Sequence, residues 1–272
     1  MSTVQHPQEP EERALPPGFD PTRDVMRPPR AATARPPYRP LAGRAAAATA
    51  VLALLLVISV ASVISGYFEG QLLDRLIDGE TVPDAELEAT DTRVGMLGLG
   101  QGALWVASAI AFISWMHRAY SNIDALPGAY RRWGAGWTIG AWFVPILNFF
   151  RPKQLIDDIW RSGRPGSGPP AWLMVWWIGF LISGFLSRIA TPNLGPDPTL
   201  QQLKSDSTNY MLSDGFDVAV LVLAILVVRV TTRRQLAAAD AMHAEPDTGA
   251  PPLPWAKPAE PAAGAPDPTE QA

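Results

Sequence analysis

The sequence predicts an all-α fold, a polytopic integral membrane helical bundle, and three observations predict it. Apolar runs at residues 45–68, 94–116, 171–190 and 209–230 come close to the roughly 20 residues needed to cross a hydrocarbon core of about 30 Å. Arginine and lysine gather in alternate connections, as the positive-inside bias requires. Of the 28 prolines, ten lie in residues 1–44 and eight in 240–272. The apolar middle is therefore flanked by Pro-rich tails. Such tails bury too little surface to offset the entropy of ordering, so disorder is expected in both. A fifth hydrophobic segment at 133–150, rich in Trp, Gly and Pro, completes the pattern as a re-entrant or interfacial hairpin, or as a short fifth span.

The whole-chain averages, 47% hydrophobic with a net charge of -4, would suit a soluble protein, but they average over very unlike parts. Cysteine is absent, which excludes thiol catalysis, disulfides, cysteine-ligated metals and a lipoprotein anchor. The first apolar run begins too far into the chain, and is too long, for a cleavable signal peptide, and none is expected.

Taken in order, residues 1–44 form a cytoplasmic Pro/Arg-rich tail. After Asp24 it holds no acid, and Arg27, Arg30, Arg35, Arg39 and Arg44 approach the first span. The charges act as positive-inside residues, with attraction to anionic headgroups the alternative. Span 45–68 is charge-free, with Ser59, Ser62 and Gly66 as a small-residue stripe that allows close helix approach. The connection Glu69–Arg93 carries eight acids against two arginines, which suits the outer side. Span 94–116 holds Gly98 and Gly102 at GxxxG spacing, implying helix packing, with Gln101 between them as a candidate polar lining. The helix continues with Ala119, Ile123 and Leu126 on one face until Pro127-Gly128 ends it.

Residues 133–150 decide the topology. Pro145 removes a backbone donor near the far end, so a straight helix through it is kinked or broken. Arg151, Lys153, Arg161 and Arg164 follow. They fall inside, together with Arg118, Arg131 and Arg132, only if the segment returns to the side it entered from. Four spans around a re-entrant hairpin, with both termini cytoplasmic, then satisfy the charge rule in every loop. A fifth true span is the alternative.

Residues 152–162 predict an interfacial helix, with Pro152 at its start and Gly163 at its stop. Leu155, Ile156, Ile159 and Trp160 form its apolar face, opposite Lys153, Gln154, Asp157, Asp158 and Arg161. The adjacent Asp157 and Asp158 point about 100° apart on a helix and lack a third ligand, which argues against a metal site. Span 171–190 opens with Trp172, Trp176 and Trp177 at the interface. A Pro-containing loop, 191–208, leads to the last span, and a helix end extends to about Ala244 before a Pro/Ala-rich tail. Arg188, near the outer end of the third span, and Asp217, at the outer start of the fourth, form a candidate ion pair, with snorkelling of Arg188 the alternative.

Residues 115–162 carry a family signature. It comprises Trp115-x-x-Arg118-Ala-Tyr120-x-Asn122, then Gly136-Trp137-x-Ile-Gly140-x-Trp142-Phe-Val-Pro145 with Asn148, then Arg151-Pro152 leading to Ile159-Trp160-Arg161. In these residues the chain resembles a family of bacterial multi-pass membrane proteins catalogued as domain of unknown function 4328. The resemblance implies residence in a bacterial cell membrane and supplies no activity, substrate or cofactor.

No nucleotide-binding loop, Ser/His/Asp order or metal-ligand cluster is present, and two of the three histidines (His6 and His243) lie in the tails. The expected protein is non-enzymatic, structural or regulatory, without cofactor, catalytic or metal residues. Its partners are the lipid bilayer and proteins reached through the cytoplasmic tails, not nucleic acid. The alternative is a small-solute or ion channel or transporter built around the broken segment 133–150. An intramembrane enzyme using His117, Asp124 or Asp157 stands last, because nothing fixes a nucleophile near a base.

Overall fold

The structure is a computed structural model that describes residues 35–190 and 198–244. Expectations for the rest of the two tails lie outside the described residues. The chain divides into Met1–Pro36, of which only Arg35 and Pro36 are described, and Pro37–Ala272. Within the second unit the order is α1 (Ala42–Ile77), α2 (Asp84–Ser121), a 3-10 turn (Asn122–Ala125), α3 (Trp137–Gly140), α4 (Pro145–Asn148), α5 (Arg151–Ser162), α6 (Ala171–Ala190) and α7 (Leu200–Ala244). Among the described residues there is no strand. Four helices (α1, α2 with its 3-10 extension, α6 and α7) are long and apolar enough to cross a membrane.

The spanning helices outrun the apolar runs that predict them. At a rise of 1.5 Å per residue, the 36 residues of α1 extend about 54 Å, well beyond a hydrocarbon core of about 30 Å. On the acidic side α1 continues to Ile77 and α2 restarts at Asp84 behind an extended Pro83, with Asp84 and Glu86 in its first turn. Acids there meet the positive end of the helix dipole. The loop expected at 191–208 is helical from Leu200. Thr199 and Gln202 cap that start reciprocally, the Gln202 amide N–H reaching Thr199 Oγ1 (3.3 Å) and the Thr199 N–H reaching Gln202 Oε1 (2.8 Å). This is a capping box.

The longest helix, α7, is the axis of the bundle: α1 packs along it, α6 lies against it, and α5 crosses near its far end. Small residues mark the closest approaches. A Cβ on Gly66 would lie 3.3 Å from the Met211 Cβ, and one on Gly179 would lie 3.2 Å from Val220. The GxxxG pair does not do this work. Nothing lies within 4 Å of a Cβ built on Gly98 or Gly102, whereas one on Gly100, between them, would meet the Ile58 Cδ1 at 2.7 Å. Residues 98 and 102 share a face that points away from α1, and the contact falls on the opposite side of the helix.

The segment 133–150 is not one helix. It forms two single turns, α3 and α4, separated by Ala141–Val144. Val144 is extended (φ -94°, ψ 110°), as the residue before a proline must be, and Pro145 starts α4 rather than bending a longer helix. The segment leaves Phe143, Ile146 and Phe149 largely exposed.

Two expectations change. The helix α5 does not present one polar and one apolar face. Leu155, Ile156 and Ile159 are fully buried, but so, nearly, are Lys153 and Asp158. The helix is enclosed between α2 and α7 at the arginine-rich end of the bundle, because its polar side finds ion-pair partners there. The first tail, expected to be disordered as far as Arg44, is docked in its last residues: Leu41 is buried and α1 already starts at Ala42.

Candidate functional site

The arginine-rich end of the bundle is a cradle built from the ends of α2, α5 and α7 and the broken segment. Three hydrogen bonds stitch the helices together. Trp115 Nε1 donates to Thr232 Oγ1 (2.9 Å), and Gln235 Nε2 donates to the Ala119 carbonyl (2.9 Å) and to Ser162 Oγ (3.0 Å). Gly163 lets α5 end there: a Cβ on it would fall 2.9 Å from the Arg234 backbone carbon. Its φ of -75° is ordinary, so close approach, not conformational freedom, explains the glycine. By contrast Gly128, at φ 67°, is a turn glycine in the left-handed region.

Tyr120 sits at the centre, fully buried. Its hydroxyl accepts the Trp133 backbone N–H (3.0 Å) and donates to Asp158 (3.3 Å). The same carboxylate holds Arg132 at 2.7 Å and lies 3.5 Å from Arg161. Arg132 also donates to the Gln154 carbonyl (3.1 Å). The hydrogen bond with Asp158 raises the Arg132 guanidinium above its ordinary value. Removing Tyr120 or Arg132 would leave the buried Asp158 carboxylate one hydrogen bond short.

The broken segment is fastened to α2 and α6. His117 Nδ1 lies 2.8 Å from Thr138 Oγ1, the Thr138 hydroxyl donates to the Ala135 carbonyl, and Trp142 Nε1 donates to the Thr138 carbonyl. Trp177 Nε1 reaches the Phe149 carbonyl at 2.9 Å. Trp142 enters an aromatic layer with Phe112, Trp177 and Phe180, ring centroids 5.9 to 6.3 Å from its own. The Arg151 guanidinium stacks over Trp133 (3.7 Å) and faces Trp137 (5.2 Å), and its Nε and Nη1 are buried without a hydrogen-bond partner. The Oδ1 of Asn148, one turn earlier, is likewise buried and unpartnered.

Beside the cradle, the docked residues before α1 lie along one face of α2. The Arg44 guanidinium donates to the Ser114 carbonyl (3.1 Å). Asn122 clasps the Arg39 backbone twice, accepting its N–H (3.1 Å) and donating to its carbonyl (2.8 Å). Arg118 lies between those anchors, half-buried and within electrostatic reach of both Arg44 and Arg39.

The structure thus brings together most of the residues that the sequence singles out. Tyr120, Trp137, Trp142, Arg151 and Trp160 stand in the cradle, Trp160 with the Arg234 guanidinium 4.0 Å from its ring. Asn122 and Arg118 form the adjoining stripe. Gly136, Gly140, Pro145 and Pro152 shape the backbone between them. The candidate enzyme residues have separate partners: His117 has Thr138, Asp124 has Arg131 (2.7 Å), and Asp157 has Lys153. Among the described residues no group of three or more His, Cys, Asp or Glu could hold a metal.

The Arg188–Asp217 pair is not formed. Asp217 accepts a hydrogen bond from the Ser183 hydroxyl, and Arg188 has no ion pair among the described residues. Residue 188 lies five positions beyond Ser183, about 140° around the helix, so it faces away from α7. The structure shows instead a polar knot through the acidic half of the bundle, which the sequence reading places only in part. Gln101 Nε2 donates to Asp214 (2.9 Å), Gln101 lies 3.4 Å from Ser59 Oγ, and the Ser62 hydroxyl donates to Gln101 Oε1 (3.3 Å). A lone Gln on one apolar run, with two serines and an aspartate on others, is the signal that would have found it.

Among known proteins, a family model described as "Domain of unknown function (DUF4328)" matches residues 78–233, more than half of the chain. Neither a curated protein nor a solved structure matches.

Proposed function

The chain belongs to the family described as Domain of unknown function (DUF4328), which carries no activity to inherit, and from its geometry we propose a non-enzymatic structural or regulatory protein of the bacterial cell membrane. Both termini are cytoplasmic in this reading, and the tails are the segments that meet protein partners. One observation carries it. Trp115 and Tyr120 of the signature are committed to Thr232, Asp158 and the Trp133 backbone, and with the Arg132–Asp158 and Gln235–Ala119 bonds they tie α2, the broken segment, α5 and α7 into a single cap. A substrate site would need polar groups left facing an accessible space. One open cleft lies elsewhere, between the acidic-side halves of α1 and α2, and is lined mainly by apolar residues such as Ile64, Phe68 and Met96.

The transport alternative would require a polar path past the aromatic layer of Phe112, Trp142, Trp176, Trp177 and Phe180, which packs between the polar knot and the cradle. The test is solute and ion flux through liposomes containing the full chain. Flux no greater than in empty liposomes is expected, and selective flux that Trp142→Ala alters would overturn the reading. Orientation is tested by reporter fusions, expected outside at Glu80 and inside at Gly128 and Gly166. An outside signal at Gly166 would instead make 133–150 a crossing segment.

A further inference from the structure

We propose that Arg39, Arg44 and Arg118 form a binding site for the phosphate headgroup of an anionic phospholipid in the leaflet at the arginine-rich end. The inference begins with α2. Ser114, Arg118 and Asn122 are spaced four apart and share one face. The segment leading into α1, together with the first turn of α1, runs along that face, fixed at one end by the Arg44–Ser114 bond and at the other by the double Asn122–Arg39 clasp. These fastenings use the Asn122 side-chain amide, backbone groups of Arg39 and Ser114, and one guanidinium nitrogen of Arg44. They hold three guanidinium groups near one another, and none of the three has an ion pair among the described residues. Asp240 on α7 lies within electrostatic reach of Tyr38 and forms an ion pair with none of the three among the described residues.

Like charges gathered by dedicated hydrogen bonds cost free energy unless an anion completes the group. Two features select a lipid over a soluble anion. Arg44 is the last charge before the charge-free run that begins at Ala45, and Arg118 follows the apolar run ending at Met116. Both therefore lie at the depth where hydrocarbon gives way to headgroups. The outward faces of α1 nearby, such as Leu54 and Val57, are exposed and would meet the acyl chains. Guanidinium forks match phosphate oxygens in a way a single ammonium does not. The proposal rests on the membrane reading above but not on the absence of transport, so flux in liposomes would leave it standing.

The experiment uses the purified full chain in a neutral detergent, titrated with phosphatidylglycerol, with phosphatidylcholine, and with inorganic phosphate. Thermal unfolding and native mass spectrometry report binding, and hydrogen exchange reports where protection falls. In the wild type, phosphatidylglycerol is expected to raise the midpoint, remain bound, and slow exchange around residues 39–44 and 114–122. Phosphatidylcholine should do so weakly.

Without lipid, Arg118→Gln should leave the midpoint unchanged or raise it, because a repulsive charge has gone. With phosphatidylglycerol, its affinity should fall about fivefold, the order expected for one charge near a membrane surface. Arg118→Lys should recover part of that loss. Arg233→Gln, at an exposed cation on α7 at the same end, should change nothing. Equal losses for the Arg118 and Arg233 variants would reduce the effect to general surface attraction and overturn the site. Equal protection by inorganic phosphate would make the ligand a soluble anion and overturn the lipid assignment. Should the variants fail to fold, wild-type protection by phosphatidylcholine equal to that by phosphatidylglycerol would overturn the proposal by itself.

Discussion

Asp158 and Asp124 each pair with an arginine from the same loop, and their surroundings set the worth of the pairs. Asp158 is 3% exposed and Asp124 is 39% exposed. Truncating Arg132 leaves a buried carboxylate short of a partner, so Arg132→Gln should cost about 1–3 kcal/mol in detergent unfolding. Arg131→Gln should cost less than about 1 kcal/mol, the range for exposed pairs. Equal losses would mean that burial does not distinguish the two. Tyr38 gives a pH-dependent counterpart. Burial pushes its phenol above the ordinary value of 10.0, and its hydroxyl is buried without a hydrogen-bond partner. The stability that comes from keeping it neutral is fully present below about pH 10 and is lost as pH rises through the folded value. Tyr38→Phe should therefore be as stable as the wild type at neutral pH and should fall less steeply above pH 10. An unchanged slope would place the alkaline loss on other groups. In the membrane, Arg188→Ala and Asp217→Ala should be additive, whereas Ser183→Ala and Asp217→Ala should couple by about 0.5 kcal/mol or more.

At the scale of elements, sequence signals succeeded where one residue type has one physical meaning. Pro145 had to interrupt a helix and does so as the first residue of α4; Pro127-Gly128 had to end one, but α2 already stops at Ser121 and only a 3-10 turn carries on to Ala125. Signals with two meanings misled. Gly98 and Gly102 have the spacing of a packing motif, yet Gly100 faces α1, because spacing does not say which face of a uniformly apolar helix turns inward. The amphipathic pattern of α5 placed Asp158 in water, because sequence cannot show that Tyr120 and Arg132, far along the chain, would converge on it. The capping box Thr199-x-x-Gln202 was legible and went unread beneath the prolines that precede it. A pair of substitutions tests the glycines. Gly163→Ala should destabilise by about 1–3 kcal/mol, since its Cβ would strike the α7 backbone. Gly98→Ala, with open space around it, should stabilise by about 0.5–1 kcal/mol through helix propensity. A neutral Gly163→Ala would mean that α5 and α7 separate easily.

For the molecule as a whole, the number of spans, the broken segment and the signature residues were legible, because bilayer thickness and backbone chemistry constrain them locally. The convergence of those residues into a cap, and the polar knot in the acidic half, were not, because both depend on how the long helices rotate against one another. One of those helices has a mechanical consequence. The 45 residues of α7 run unbroken from Leu200 to Ala244, with Lys204 paired to Asp74 of α1 near the start and Gln235 held to α2 and α5 near the finish. A continuous α-helix is stiff along its axis and about it, so α7 behaves as a push-rod guided along its length by α1 and α6. Torque or thrust applied at one end of the rod arrives at the other with little loss. Cross-linking cysteines placed at 74 and 204 should therefore alter hydrogen exchange at Thr232–Gln235, roughly 45 Å away along the rod; unchanged exchange would show that the shaft slips in its bearings.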